Sequence, residues 1–317
     1  MADFDKPSGN GTPAEAPDAT PPEAIVAIPV RHYGRWISAA VVLVLLALLV
    51  RAFAGADVSW DVVGDHLTYD TIVDGARNTL WITVLSMVIG VVLGIALAVM
   101  RLSGNPVLAS VAWGYIWFFR GTPVLVQLVL WFNLSIVFDT LNFGFYKDET
   151  NDIITPFVAA LLGLGLNEAA YMAEIARAGI LSVDQGQTEA AHALGMNNGK
   201  TMRRIVLPQA MRVVIPPTGN EFINMLKTSS LVSVVQYDDL FRAQDVVAGR
   251  NLAIMEMLLV ATVWYLALTT IFNIGQFYLE RHYSKGSGRS QPPTPLQRLR
   301  AQLTRFRTPS RVGGTTV

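Results

Sequence analysis

The chain has 317 residues, 52% of them hydrophobic, with 24 Lys and Arg against 24 Asp and Glu for a formal net charge of zero. The apolar residues arrive in blocks close to the ~20 that a bilayer core requires, which excludes a soluble domain and marks a polytopic membrane protein. There is no cysteine, so a disulfide scaffold, a thiolate metal site and a Cys nucleophile are excluded together.

Residues 1–30 are rich in Pro, Ala, Gly and acidic side chains, and cannot bury enough apolar surface to fold alone, which predicts a disordered tail. The first apolar block, Ile37 to Val50, follows Arg31 and Arg35 and precedes Arg51, and predicts an N-terminal transmembrane anchor over residues 36–54. Ala52-Phe53-Ala54 would also suit a signal peptidase, although the long acidic tail and Arg51 are poor signal-peptide features. A second span runs from about Leu80 to Met100, with Gly90 and Gly94 spaced to let another helix approach. Val107 to Phe138 is too long for one upright span and is broken at Arg120-Gly121-Thr122-Pro123, which predicts an interfacial helix over Val107–Phe119 and a span over Pro123–Phe138. Asp139 to Asp152 reads as an external loop carrying Asp139, Asp148, Glu149 and Asp152. Further spans are predicted at Pro156–Ala176, Val213–Val235 and Leu252–Tyr278, giving an all-α integral membrane protein of about six transmembrane helices.

Arg101, Lys200, Arg203, Arg204 and Arg212 fall on the same side as Arg31, Arg35 and the C-terminal tail, so both termini are expected in the cytoplasm. Arg242 and Arg250, in the loop from Gln236 to Asn251, fit an external position less well. The tail 281–317 holds Lys285, Arg289, Arg298, Arg300, Arg305, Arg307 and Arg311 with no acidic residue, a charge pattern suited to anionic membrane lipids.

The polar connection between the fourth and fifth spans can be read residue by residue. Glu189 to Leu194 are good helix formers, Gly195 can end that helix with positive φ, Asn198 can cap a second helix and Pro208 limits it. Lys200, Arg203 and Arg204 alternate with Met202, Ile205 and Val206, an amphipathic surface suited to a partner. Gly195, Gly199, Lys200 and Thr201 resemble a phosphate loop, but three residues separate the glycines where four are required, and no strand precedes them. Polar groups inside spans are costly, so each is a candidate for a translocation path or for interhelical ties. Asn220, Asn224 and Lys227 share a helical face, while Glu221 is expected to point elsewhere. Gln127, Asn133, Asn167 and Glu168 are similar candidates, and Glu174 with Arg177 is expected to form an ion pair along its helix.

The stretch Glu189-Ala190-Ala191, Gly195, Ile205 and Leu207-Pro208 resembles the cytoplasmic coupling loop of ABC-transporter permeases. The resemblance extends to Asn78-Thr79-Leu80, to Phe119-Arg120-Gly121-Thr122-Pro123 with Gln127, and to Ala170-Tyr171 with Glu174, Arg177 and Gln185-Gly186-Gln187. It continues through Gly219-Asn220-Glu221-Phe222-Ile223 and Leu226-Lys227-Thr228-Ser229-Ser230-Leu231. Family members more often carry Asp and Thr where Thr228 and Ser229 stand. The matching group is the permeases for polar amino acids of the histidine, glutamine, glutamate and arginine type.

The resemblance implies a type I importer fold over residues 75–280, a five-helix core plus the N-terminal span, with the coupling loop at 184–212. It implies a multi-pass subunit of the bacterial plasma membrane, without catalytic residues or a metal site, that imports a polar amino acid. Expected partners are ABC ATPase subunits that bind ATP and Mg, an extracytoplasmic solute-binding protein, and a second permease, identical or a sister subunit. No cofactor on this chain and no nucleic-acid partner are expected. Glu189, Ala190, Ala191, Gly195, Ile205, Leu207 and Pro208 would couple to the ATPase, and Gln127, Asn167, Glu168, Asn220, Glu221, Asn224 and Lys227 are the substrate-path candidates. An ion-gradient-driven secondary amino-acid transporter is the alternative. It would be expected to show internal repeats with broken helices, and none is found. An intramembrane hydrolase is a third reading, but His32, His66, His192 and His282 all lie outside the apolar blocks, leaving no His in a span to activate Ser or Thr.

Overall fold

Two of the helices begin where an Asx or Thr side chain stands before a proline. Asn105 accepts from the Val107 amide at 2.9 Å ahead of Pro106, and Thr155 accepts from the Val158 amide at 3.3 Å ahead of Pro156; each proline occupies a position whose N–H would have had no helical partner. The computed structural model describes residues 33–142, 144 and 147–283. The predicted acidic tail, Arg31, His32, the Arg35 side chain and the basic residues from Lys285 onward lie outside the described residues.

The chain divides after Asp57. The first unit contributes α1, Tyr33–Ala54, a helix apolar all round, as a membrane span is. The second unit opens with α2 (Trp60–His66), α3 (Asp70–Arg101), α4 (Pro106–Gly121) and α5 (Val124–Phe132). A short hairpin pairs β1 (Thr140–Asn142) with β2 (Lys147–Glu149), and α6 (Thr150–Ile153) leads to α7 (Pro156–Leu181). Then come α8 (Gln185–Ala193), α9 (Asn198–Thr201), a π turn over Met202–Val206, α10 (Leu207–Thr228) and a 3-10 segment over Ser229–Val235. The last elements are α11 (Leu240–Asn251) and α12 (Ile254–Tyr283).

Among the described residues, four helices are long and apolar enough to cross a bilayer, namely α1, α3, α7 and α12, and the bent pair α4 with α5 makes a fifth. α10, expected as a further span, is 22 residues long; at 1.5 Å per residue that is ~33 Å, enough to cross. Its polar residues, Glu221 and Lys227 among them, keep it from reading as apolar.

The second unit is built on α3 and α7, which run parallel. A Cβ at Gly90 would lie 2.5 Å from Glu168 Cγ, and one at Gly94 would lie 2.4 Å from Met172 Cβ and 3.0 Å from the Ala169 carbonyl. The glycine pair is therefore the packing face that its spacing predicts. Apolar side chains fill three levels along this pair: Ile72, Leu240, Met257 and Val260 at one end, Ile82, Leu128, Leu164 and Met225 in the middle, and Leu97, Ile116 and Ala173 toward Arg101.

The predicted span Pro123–Phe138 is cut short. α5 ends at Phe132, about 14 Å after it begins, because Asn133 folds its amide back onto the Val129 carbonyl at 2.8 Å and a single 3-10 turn follows. The expected external loop contains the hairpin, whose turn is set by Gly144 at φ +84° with its amide on Asn142 Oδ1 at 2.9 Å.

Candidate functional site

A break in the helix at Thr122-Pro123 creates the first half of the site. Pro123 has no N–H and drives the preceding residue to extended geometry; Thr122 sits at φ −114° and ψ 143°, and the axes of α4 and α5 turn through 101°. The freed backbone groups of this elbow are met by two amides. Gln127 Nε2 lies 3.0 Å from the Phe119 carbonyl, 3.1 Å from the Thr122 carbonyl and 2.7 Å from Thr122 Oγ1. Its Oε1 accepts from Asn167 Nδ2 at 3.2 Å, and Asn167 Nδ2 also reaches the Phe119 carbonyl at 2.8 Å.

Inside the elbow lies a cavity of about 860 Å³. It is walled by Arg120, Thr122 and Val124 of the elbow, by Leu164, Asn167, Glu168 and Tyr171 of α7, and by Glu221, Asn224, Met225, Lys227 and Thr228 of α10. Ser230 and Leu231 complete the lining. The Arg120 guanidinium lies 5.2 Å from the centre of the Tyr171 ring, a cation–π distance. Glu168 is 4% exposed, and its Oε1 has no hydrogen-bond partner among the described residues. An ionised carboxylate at bilayer depth is tolerated only against a cation or water. The cavity thus gathers two carboxylates, Glu168 and Glu221, and two cations, Arg120 and Lys227, in one lining, charges of both signs for a ligand that carries both.

The expected path residues divide on these positions. Asn167, Glu168, Glu221, Asn224 and Lys227 stand around the cavity. Glu221 does not point away from Asn224 and Lys227 as expected: three residues before Asn224, it lies at the edge of the same broad face. Asn220 is exposed and is not among the lining residues, being one turn below Asn224. Gln127 is 3% exposed and spends its polar atoms on the elbow. Arg120 and Tyr171, quoted in the sequence only as parts of motifs, are the side chains that reading missed. Glu174 and Arg177 form the expected pair at 2.8 Å. The turn after α10 is held by Ser229 on the Leu226 carbonyl and Ser230 on the Lys227 carbonyl, at 2.9 and 2.7 Å, which needs no Asp at residue 228.

The second half of the site is the segment from α8 to α10. Asp184 Oδ1 caps α8 on the Gly186 amide at 2.6 Å. At the other end Gly195 takes φ +76°, its amide bonds the His192 carbonyl at 2.9 Å and the Met196 amide bonds the Ala191 carbonyl at 3.0 Å. That pair of bonds is a Schellman stop, with glycine in the left-handed position. The next cap is Asn197, which accepts from the Lys200 amide at 2.9 Å; Asn198, expected in that role, is the first helical residue instead.

Pro208 does not end the second helix. The chain widens into the π turn Met202–Val206, with the Leu207 amide on the Met202 carbonyl, and runs on as α10. A proline ring collides with the carbonyl four residues back in a regular helix, and the wider turn relieves this. Around these bends Glu189, Ala190, Leu207 and Pro208 are exposed, Ala191 is buried and Ile205 half-buried. Leu194 is 83% exposed, an apolar side chain held out at the tip beside Gly195. Lys200, Arg203 and Arg204 are exposed on the same segment.

A family model described as binding-protein-dependent transport system inner membrane component matches residues 90–285. The arginine transport system permease protein ArgU of Corynebacterium glutamicum is 49% identical over 281 residues, covering 88% of this chain and 89% of its own. The glutamine transport system permease protein GlnP of Escherichia coli K12 is 35% identical over 212 residues, 66% of this chain and 91% of its own. A crystal structure of an amino acid ABC transporter with histidines aligns at TM-score 0.60 and 37% identity, covering 67% of this chain and 94% of that one. The MetNI methionine ABC transporter, at 20% identity and TM-score 0.54 over 68% of this chain and 97% of that one, shares the fold.

Proposed function

This chain belongs to the family of binding-protein-dependent transport system inner membrane components, and we propose from this that it is the membrane-spanning permease of an ATP-driven importer for a polar amino acid. The proposal extends to a basic amino acid, and the single observation behind it is the cavity. Glu168 presents a buried, unpartnered carboxylate oxygen beside Glu221, while Arg120 and Lys227 stand across the same space. A guanidinium or ammonium side chain would meet the carboxylates and the α-carboxylate would meet the cations. The name of the 49% identical relative, an arginine transport permease, supports the same class. The relatives lend no support to an ion-gradient-driven transporter.

In this reading two ATPase subunits bind ATP and Mg and dock on α8, Gly195 and the start of α10 at Leu207-Pro208. A solute-binding protein delivers the amino acid on the opposite face, and a second permease, identical or a sister subunit, completes the path. The chain lies in the bacterial inner membrane with both termini in the cytoplasm, as its Lys and Arg distribution supports. It carries no hydrolytic site of its own.

The test uses the complete complex in liposomes. Lys227→Met should lower uptake at least about tenfold, since a charge lost from a substrate contact forfeits more than 1 kcal/mol, while the subunits still co-purify. The chain lacks cysteine, so a single Cys at Asn224 is a clean probe and should react with water-soluble thiol reagents. A Cys there that reacts only with lipid-soluble reagents, in every nucleotide and substrate state, rules the cavity out as the path.

A further inference from the structure

α10 carries both things that an ATP-driven permease has to connect. Its first residues, Leu207 and Pro208, continue the docking segment, and its last turns bring Glu221, Asn224 and Lys227 to the cavity. Between them the helix is weak. Pro216 and Pro217 lie inside it; neither has an N–H, so the carbonyls of Arg212 and Val213 lose their helical donors, and each ring crowds the turn before it. The Thr218 hydroxyl bonds back to the Val214 carbonyl at 2.8 Å, an arrangement that also bends helices.

Packing changes across this stretch. Before it α10 lies on α7, where a Cβ at Gly179 would meet Val214 Cγ2 at 2.2 Å. After it α12 joins as a neighbour, with the Phe222 and Phe272 rings 4.8 Å apart, while Met225 still packs in the cluster of Leu164 and Met172 of α7. Gln276 of α12 is seated against these prolines. It is 7% exposed, and its Nε2 donates to the Pro216 carbonyl at 2.7 Å and to Glu280 Oε1 at 3.0 Å. The approach needs a missing side chain at residue 219: a Cβ on Gly219 would lie 1.7 Å from Gln276 Oε1 and 2.6 Å from its Cδ.

We propose that Gln276 is a positioning residue for coupling, holding the Pro216 carbonyl so that the two halves of α10 move together and displacement at Leu207 reaches Lys227. Gln276 lines neither the cavity nor the cleft beside the docking segment, so its action runs through the helix. Without this bond the two prolines absorb the displacement as a change of bend.

Gln276→Met keeps the length and bulk that fill the Gly219 notch and removes both donors. In the complete complex in liposomes it should lower uptake about tenfold, as loss of one buried hydrogen bond does, while substrate-stimulated ATP hydrolysis stays within about twofold of the natural chain. Hydrogen exchange at the amides of residues 218–223 should accelerate by a similar factor, with α3 and α7 unchanged. The inference rests on the permease reading, and the two fail differently: ATPase subunits that never associate with the chain refute the reading, whereas an unaltered ratio of hydrolysis to uptake in Gln276→Met overturns the clamp. Should that variant not assemble, Gly219→Ala, which displaces the amide from the other side, gives the same exchange readout on the purified full chain. Unchanged exchange at residues 218–223, or uptake and hydrolysis that fall in step, also overturns it.

Discussion

Gly195→Val tests the proposed docking segment where its geometry is most demanding. Gly195 holds φ +76°, and a Cβ there would have no atom within 4 Å, so the penalty comes from the backbone and not from crowding. Left-handed backbone costs an L-residue about 1–2 kcal/mol, with β-branched side chains at the upper end. Gly195→Ala is therefore expected to lose ~1 kcal/mol from the Schellman stop, Gly195→Asn less because Asn tolerates this region, and Gly195→Val ~2 kcal/mol. At 1.4 kcal/mol per factor of ten, the valine chain would hold the native bend roughly 30-fold less often relative to its alternatives. The bends that compete with it turn Lys200, Arg203 and Arg204 away from the surface they share. Binding-protein-stimulated ATP hydrolysis and uptake, both followed in liposomes containing the whole complex, should decline together in the order Gly, Asn, Ala, Val. Wild-type hydrolysis and uptake in a correctly inserted Gly195→Val complex would refute the reasoning, because the segment would then be a connector only.

Gly94→Val should separate α3 from α7, since even its Cβ would meet Met172 Cβ at 2.4 Å and backbone atoms of Ala173 and Ala169 at 2.9 and 3.0 Å. Overpacking of this kind costs about 1–3 kcal/mol, and the thermal midpoint of the purified complex should fall; an unchanged midpoint contradicts the parallel packing. Asp239, which caps α11 by accepting from the Phe241 and Arg242 amides at 3.1 and 3.0 Å, is fully buried, and burial pushes its carboxyl from an ordinary 3.8 up to about 6. A raised folded-state value means that its contribution to stability is full below about pH 3.8 and is lost as pH rises through about 6, so protection of the α11 amides, corrected for intrinsic exchange, should weaken over that window. Asp239→Asn keeps one of the two capping acceptors and should flatten the slope; an identical slope would assign the titration elsewhere.

Local rules made some parts of the molecule readable. Gly195 follows a run of helix formers, and Gly90 with Gly94 has the spacing of a packing face, so each position carries its own signal. Asn197 and Asn198 are equivalent by type, and only the direction in which the chain leaves Gly195 decides which one caps. Pro208 does not end the helix because a helix can widen by one residue to pass it. Gln127 is a harder case, since nothing in its neighbours reveals that the elbow folds Phe119 and Thr122 back to its amide. The hairpin had a faint signal in Asn142 and Gly144, whose turn geometry fits a strand reversal. Gln276 had none, because the Pro216 carbonyl it binds is 60 residues away.

The parallel arrangement of α3 and α7 also bears on how the chain is assembled. Neighbouring antiparallel helices can meet as soon as the second leaves the ribosome, but a parallel pair cannot be joined by a short turn. The pair here must wait until α4 and α5 have been made and have carried the chain back across the bilayer. During that interval Thr83 and Ser86, both fully buried in the finished protein, and the open notches at Gly90 and Gly94 would face lipid. The hydroxyls can bond within their own helix meanwhile, and glycine exposes no charge. A face made of small residues thus allows the half-made protein to reside in the membrane before its partner helix arrives, which a face bearing Glu168 would not. The carboxylate is carried on the later helix, which meets the glycine notch of α3 as it enters the bilayer.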